Sequence, residues 1–446
     1  MKWPTFIYNF TFQLLKIVQD RPVIQIPDLE HYQITDYNAL VTTNSANKII
    51  PNMNSNKSKV VSDYLAHISP DAFTASKPQN IAYVLVEGEN VIATSPGTKK
   101  TVKEHCEFLF IHKLKPLLRN CQEMMIMFDD QHKPLNIKST DDIRYGGHHE
   151  VLDLTKEYVI DDWNTIFKNP HNKRQFKTIF VDHVMQICGS HMHKNQCIYF
   201  NGTYDEGKVW RAKQLESGYT KLEVMEHLTL SCGESDIKIF QLSQKLDLKG
   251  QPMLILSMDT DVKMLALYWS SKLQIDYVIR SGSNLIPSYF SPKIMIDSLN
   301  QKFGDNVGKF VENLLKIYAI FGCDYLPCFA QISHSYAMKV YEEVYTERPF
   351  NCLNDFLWLI LRVYEKKNHA LKKLFPDTND DLSLDEMILK TRGAIKSVRG
   401  SDILTIPLPS VLRLHLKRAD LVQQFWTGST GSTENMDPSL YGYCRY

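Results

Sequence analysis

The apolar run PMLIL at residues 252–256 passes directly into SMDTDVKM, Ser257 to Met264, and so sets Asp259 and Asp261 at the end of a buried strand. Open α/β sheets put their chemistry at the carboxyl ends of their strands. Two acids this close repel each other unless a cation stands between them. The arrangement recurs along the chain. KIYAIFGCDYLP delivers Asp324, CGESD offers Glu234 and Asp236, MMIMFDD offers Asp129, and AYVLVEG offers Glu87. Hydrophobic segments that keep ending in acids point to hard divalent cations and metal-dependent chemistry.

The elements around these acids predict the fold. IAYVLVEG and EMMIMF read as strands, and the segment between them carries Cys106, Leu109, Phe110, Leu114 and Leu117 at helical spacing. Strand, helix and strand in about fifty residues form a βαβ unit and imply a parallel sheet. From residue 221 onward helix, strand, helix, strand and helix alternate through ESDIKIFQLSQKL, PMLILSM, DVKMLALYWSSKL, IDYVIRSG and VGKFVENLLKIYAIFG. The expected class is α/β, a parallel sheet flanked by helices with a helical C-terminal region. The expected organisation is a segment 1–75 of unassigned fold, a domain over 76–345 with a polar insertion at about 145–220, helices over 346–425, and a disordered tail at 426–446. The Asn/Ser-rich stretch TTNSANKIIPNMNSNKSK in the first segment reads as a loop or linker.

Composition narrows the partners. The net charge of +1 supplies no global basic field, so a polyanion must be held by local patches or by bound metal. Nine irregularly spaced cysteines read as reduced thiols rather than a disulfide framework. No run of ~18 apolar residues predicts a membrane span. MKWPTFIYNFTFQLLKIV is broken by Pro4, Asn9 and Gln13 and reads as a strand or packing helix, not a signal peptide. The expectation is an intracellular protein, nuclear or cytoplasmic, neither secreted nor membrane-bound.

In order and context these motifs resemble the flap endonuclease/PIN-like (XPG-type) nuclease superfamily, most closely its divergent branch with a DTDV motif and a later GCD motif. The resemblance covers residues 222–345 and, more loosely, 78–145. It implies a PIN-like, 5′-3′ exonuclease-like sheet and two Mg²⁺ or Mn²⁺ ions held by acids after successive strands. The implied ligands are Glu87, Asp129, Glu234, Asp236, Asp259, Asp261 and Asp324. FDDQHKPLNIKSTDDIR resembles the family's FD motif and its basic segment, which implies catalytic Lys138 and Arg144. FAQISHSYAMKVYEEV looks like the helix–turn–helix that grips a duplex backbone, which implies nucleic-acid contacts through Ser333, His334 and Lys339. Glu87 stands where the family has aspartate, and Gln331 to His334 lacks the glycine of the family's hairpin.

The function so implied is divalent-metal-dependent hydrolysis of phosphodiester bonds in DNA or RNA. Two ions about 4 Å apart activate a water and stabilise the leaving oxygen, which explains many carboxylates and no nucleophilic serine or cysteine. The alternative is a catalytically silent PIN-like fold that binds nucleic acid or a protein partner. Two further segments carry chemistry-bearing residues. KNPHNKRQFK, residues 168–177, is either a basic strand-threading insertion or a solvated surface. CGSHMHKNQC has enough ligands, in Cys188, His191, His193 and Cys197, for a tetrahedral structural zinc site.

Overall fold

A computed structural model describes residues 39–43, 49–52, 57–76, 78–97, 100–129, 150–201, 208–217, 220–230, 233–246, 250–273, 275–282, 287–368, 382–399 and 405–428. Lys138, Arg144 and most of the segments 1–56 and 426–446 lie outside the described residues. The strands in chain order are β1 (Val41–Thr43), β2 (Ile49–Pro51), β3 (Phe73–Thr74), β4 (Tyr83–Glu87), β5 (Glu123–Met127), β6 (Cys197–Asn201), β7 (Val209–Gln214), β8 (Thr220–Val224), β9 (Met253–Leu256), β10 (Tyr277–Gly282) and β11 (Pro287–Phe290). β1 and β2 form a small hairpin. The other nine make one sheet in the order β3-β11-β10-β9-β4-β5-β6-β7-β8.

The centre of that sheet, β10-β9-β4-β5-β6, is parallel throughout, and antiparallel strands extend both edges. Its strands are short apolar runs because both faces are covered. Leu85, Met125, Ile255 and Ile279 point into one core. Val84, Val86, Met124, Ile126, Leu254 and Val278 point into the other. The second core is closed by the helices Val102–Leu109 and Pro170–Ile187. Thr101 caps the first of these through a reciprocal pair: its hydroxyl accepts from the Glu104 amide at 3.2 Å, and Glu104 accepts from the Thr101 amide at 2.9 Å.

The expected class is present: a parallel core flanked by helices, with a helical C-terminal region of Leu353–Lys367, Leu384–Arg399 and Pro409–Thr427. The stretch read as an insertion supplies β6, which pairs parallel to β5, together with β7 and β8. The helix Lys57–Ile68 and β3 belong to the same body, and one continuous core runs from Ala39 to Trp426. Polar residues around the short strands hid this membership, and the outermost strand β8 buries little of its own surface. No helix among the described residues is long and apolar enough to cross a membrane.

The order of the central strands fixes where chemistry belongs. From β4 the chain steps to β5 and β6 in one direction, and β9 and β10 lie on the other side. The crevice at this reversal opens at the carboxyl ends of β4 and β9.

Candidate metal centre

Glu87 is the last residue of β4, and Ser257 follows β9 directly. The Ser257 hydroxyl donates to Glu87 Oε2 at 2.5 Å and accepts from the Asp259 amide at 2.9 Å, so one side chain ties the two strand ends together. Asp259 Oδ1 then accepts from the Asp261 amide at 3.0 Å, at the start of the helix Thr260–Leu273. This is N-cap geometry, and it places Asp261 in the first turn, where the helix dipole favours a carboxylate. Asp261 is buried and Asp259 half-buried.

Asp324 arrives from the loop after the helix Val307–Ile320. Gly322 there has φ of 117°, and a Cβ on it would stand 2.5 Å from Cys328 Cβ. Only glycine accepts both the backbone angle and the contact. Two buried histidines hold the loop's carbonyls: His334 Nε2 lies 2.5 Å from Gly322 O, and His415 Nε2 lies 2.7 Å from Ile320 O. Gly322→Ala is expected to destabilise the protein by about 2 kcal/mol or more, read as a lowered urea midpoint at unchanged m-value.

Carboxylate oxygens of Asp259, Asp261 and Asp324 lie within 4.8 Å of one another. A cation already stands between two of them. Lys57 Nζ is 3.0 Å from Asp261 Oδ1 and 2.5 Å from Asp324 Oδ1. Burial alone would lower the Lys57 pKa, but Asp261, Asp324 and Asp259 together hold it above its ordinary value. Burial, followed by the neighbouring Asp259, raises Asp261 well above the usual carboxylate range, and Lys57 pulls it partly back. The Tyr318 hydroxyl also donates to Asp261 Oδ1. The other oxygen, Oδ2, is buried and has no hydrogen-bond partner among the described residues.

The remaining acids surround this trio. Burial pushes Glu87 up to about 8, the Ser257 hydroxyl opposes that rise, and the charges of Asp259, Asp236 and Asp129 add to it. Asp129 follows β5, and its Oδ1 accepts from the Ser235 amide at 2.8 Å. Glu234 is the residue before the helix Ser235–Lys245, is buried, and accepts from the Tyr325 hydroxyl. Asp236 is buried in that helix's first turn. Among the described residues only Asp259, Asp261 and Asp324 converge as a group of three.

Glu87 carries a signed stability consequence. Its unfolded pKa is 4.5 and its folded pKa about 8, so its stabilising contribution is full below pH 4.5 and lost as pH rises to 8. Discounted for its partial exposure, the effect is on the order of 2 kcal/mol. Metal-free Glu87→Gln is therefore expected to melt several degrees above wild type at pH 8.5 and to show no such gain at pH 4.5.

Three participants had no part in the sequence expectations as site residues. Lys57 sits in the stretch expected to be a linker. Lys177 is buried, pairs with Glu89 and donates to Asp129 O at 3.2 Å. Lys238 is fully buried and donates to Phe128 O at 2.8 Å. These two ammonium groups pin the end of β5 beside the acids. The signal was present: each lysine interrupts a buried helix face, in QFKTIF and in SDIKIF. From Pro170 on, the segment 168–177 opens the helix Pro170–Ile187; Lys173 also pairs with Glu89 at 2.6 Å, while Lys168, His171 and Arg174 are exposed.

The nucleic-acid candidates divide. Lys339 is exposed and half-exposed Ser333 caps the helix His334–Val344 by accepting from the Tyr336 amide at 3.2 Å. His334 is completely buried, which corrects the expectation that its ring touches phosphate. Gln331 takes φ of 61°, the left-handed conformation that a glycine would supply. The Cys188, His191, His193 and Cys197 side chains do not gather around one point: Cys188 Sγ turns to Met185 O at 3.6 Å and His191 packs on Phe110 at 5.5 Å.

The trio fits one hard divalent cation. Its donors are all carboxylate oxygens, its spacing spans one ion, and the buried Asp261 Oδ2 lacks a partner. No family model and no curated protein sequence matches the chain. Among solved structures, the catalytic core of Rad2 in complex with DNA substrate is similar with a TM-score of 0.33 and 13% identity, over 84% of this chain and 97% of that one.

Proposed function

We propose that the protein is a divalent-metal-dependent nuclease that hydrolyses phosphodiester bonds of DNA or RNA. The observation that carries this reading is the gathering of Asp259, Asp261 and Asp324 at the carboxyl edge of a parallel sheet, at its topological reversal. Asp259, Asp261 and Asp324 hold one Mg²⁺ or Mn²⁺, and Asp129, Glu234 and Asp236, with Glu87, hold a second. A bound ion supplies Lewis-acid activation of water and neutralises charge developing on the phosphate. Lys138 and Arg144 offset charge on the scissile phosphate. Ser333 and Lys339 hold the polynucleotide backbone, and the residues around Asp129 keep their geometry through Lys177 and Lys238.

A second reading is a silent PIN-like fold that binds nucleic acid. It is favoured by one observation: Lys57 and Tyr318 on Asp261 Oδ1, Lys57 on Asp324 and Tyr325 on Glu234 give these acids partners from within the chain. One assay divides the readings. Purified protein is incubated with labelled single-stranded DNA, flapped DNA and RNA in Mg²⁺ or Mn²⁺, beside Asp259→Asn/Asp261→Asn. Cleavage by wild type alone supports the nuclease; cleavage that survives the double substitution removes the site; binding without cleavage on every substrate supports the silent fold.

A further inference from the structure

A site built to hold a cation already contains one from its own chain. Lys57 reaches two carboxylates of the trio, at 3.0 Å and 2.5 Å, with its side chain only 17% exposed. The residue is the first of the helix Lys57–Ile68, whose buried Val61, Tyr64 and Leu65 anchor it in the core. Lys263 Nζ, 3.0 Å from Ser62 Oγ, fastens the same helix to the one that carries Asp261. The backbone at position 57 is therefore fixed, whereas its ammonium rides on a flexible four-carbon stem. A divalent ion bound to Asp261 and Asp324 needs oxygens at roughly 2.0–2.6 Å, within the space the ammonium now fills. Like charges at that separation exclude one another.

We propose that the Lys57 ammonium is the resident cation of the Asp259–Asp261–Asp324 centre, and that a divalent ion loads there only by displacing it. The proposal rests on the reading of the trio as a metal centre and adds the residue that governs its occupancy. It gives Lys57 two effects of opposite sign. Without metal, Lys57 offsets the repulsion of three close carboxylates. With metal, it competes for them and weakens apparent affinity.

Mn²⁺ binding to the full chain, followed by electron paramagnetic resonance and calorimetry, tests this on wild type and Lys57→Met. The variant is expected to bind Mn²⁺ at least tenfold more tightly and to melt lower without metal. Equal Mn²⁺ affinity in the two proteins overturns the proposal, as does an absence of Mn²⁺ binding in both. A second measurement needs no variant: reductive methylation of wild type, read by mass spectrometry. Labelling at Lys57 is expected to rise at least severalfold when Mn²⁺ is added. Mn²⁺ binding that leaves Lys57 labelling unchanged overturns the exchange. Failure of the nuclease reading is separable. Exchange at Lys57 without cleavage of any substrate sinks hydrolysis alone, and intact Mg²⁺-dependent cleavage with equal Mn²⁺ affinities sinks this proposal alone.

Discussion

Asp259→Asn/Asp261→Asn is expected to lower Mg²⁺-dependent cleavage by at least about 10³-fold while leaving the fold intact. The size follows from what is removed. Two of the three converging carboxylates become neutral amides, leaving Asp324 as the remaining charged donor of the group. The electrostatic stabilisation that one ion gives a phosphoryl transition state is worth several kcal/mol, and about 4 kcal/mol already corresponds to 10³ in rate. The fold should survive because ionised Asp261 is costly where it lies: burial and Asp259 both disfavour its charge. A neutral isostere removes that cost. Melting with and without MgCl₂ separates the two effects. Wild type should be stabilised as Mg²⁺ is raised, by about 2.7 kcal/mol per bound ion at a hundred times Kd, and the double variant should lose the share of the ion at Asp259, Asp261 and Asp324. A variant that retains the full Mg²⁺ shift would place that ion elsewhere.

Acid is expected to weaken the metal-free protein between about pH 6.5 and 4.5. Burial pushes His105, His334 and His415 down to about 4, from an ordinary value of 6.5. Across that interval the unfolded chain binds three protons that the folded chain refuses. Stability from these groups is full above 6.5 and lost as pH falls. Glu87 and Asp261 act oppositely, because their raised values let the folded state hold protons that the unfolded state releases. Among these five groups three against two leaves one proton, a slope of about 1.4 kcal/mol per pH unit and a loss of about 2–3 kcal/mol over the interval; His183 and His191, held down by burial, add to it, and Asp276, pushed up by burial, opposes it. Urea unfolding in EDTA at several pH values reads it directly. Glu87→Gln removes one opposing group and should roughly double the slope. A flat profile from pH 6.5 to 4.5 in that variant would show that the histidines are protonated in the native state.

The parallel core was legible because buried strands declare themselves. YVLVE, EMMIM and MLIL are apolar runs, and Glu87, Asp129 and Asp259, which end or follow them, stand at the carboxyl edge of the sheet. Asp259 and Asp261 follow such a strand, whereas Asp324 follows the apolar helix Val307–Ile320, and the three carboxylates lie together. Lys57 was not legible, since a lysine in an Asn/Ser-rich stretch shows nothing of a partner more than two hundred residues away. β6 was hidden among polar neighbours, and the surface strands β7 and β8 carry charges on their open face. His334 was misread because a histidine beside a turn has the chemistry for phosphate, and only its packing shows that the ring turns inward. Ser257, which joins Glu87 to Asp259, has no distinguishing mark in a sequence at all.

The contact of His415 with the Ile320 carbonyl ties the terminal helix to the element that leads to Asp324. His415 lies in the helix Pro409–Thr427, and Ile320 closes the helix that leads to Asp324. The same terminal helix packs Trp426 against Tyr318, whose hydroxyl donates to Asp261. Two of the three converging acids thus depend on residues near 415 and 426, far beyond the stretch that carries the motifs. An excised piece ending at 345 would contain every acid of the centre and yet expose the wall against which Asp261 and Asp324 are set. Among the described residues the terminal helix is thus part of the wall behind these two acids.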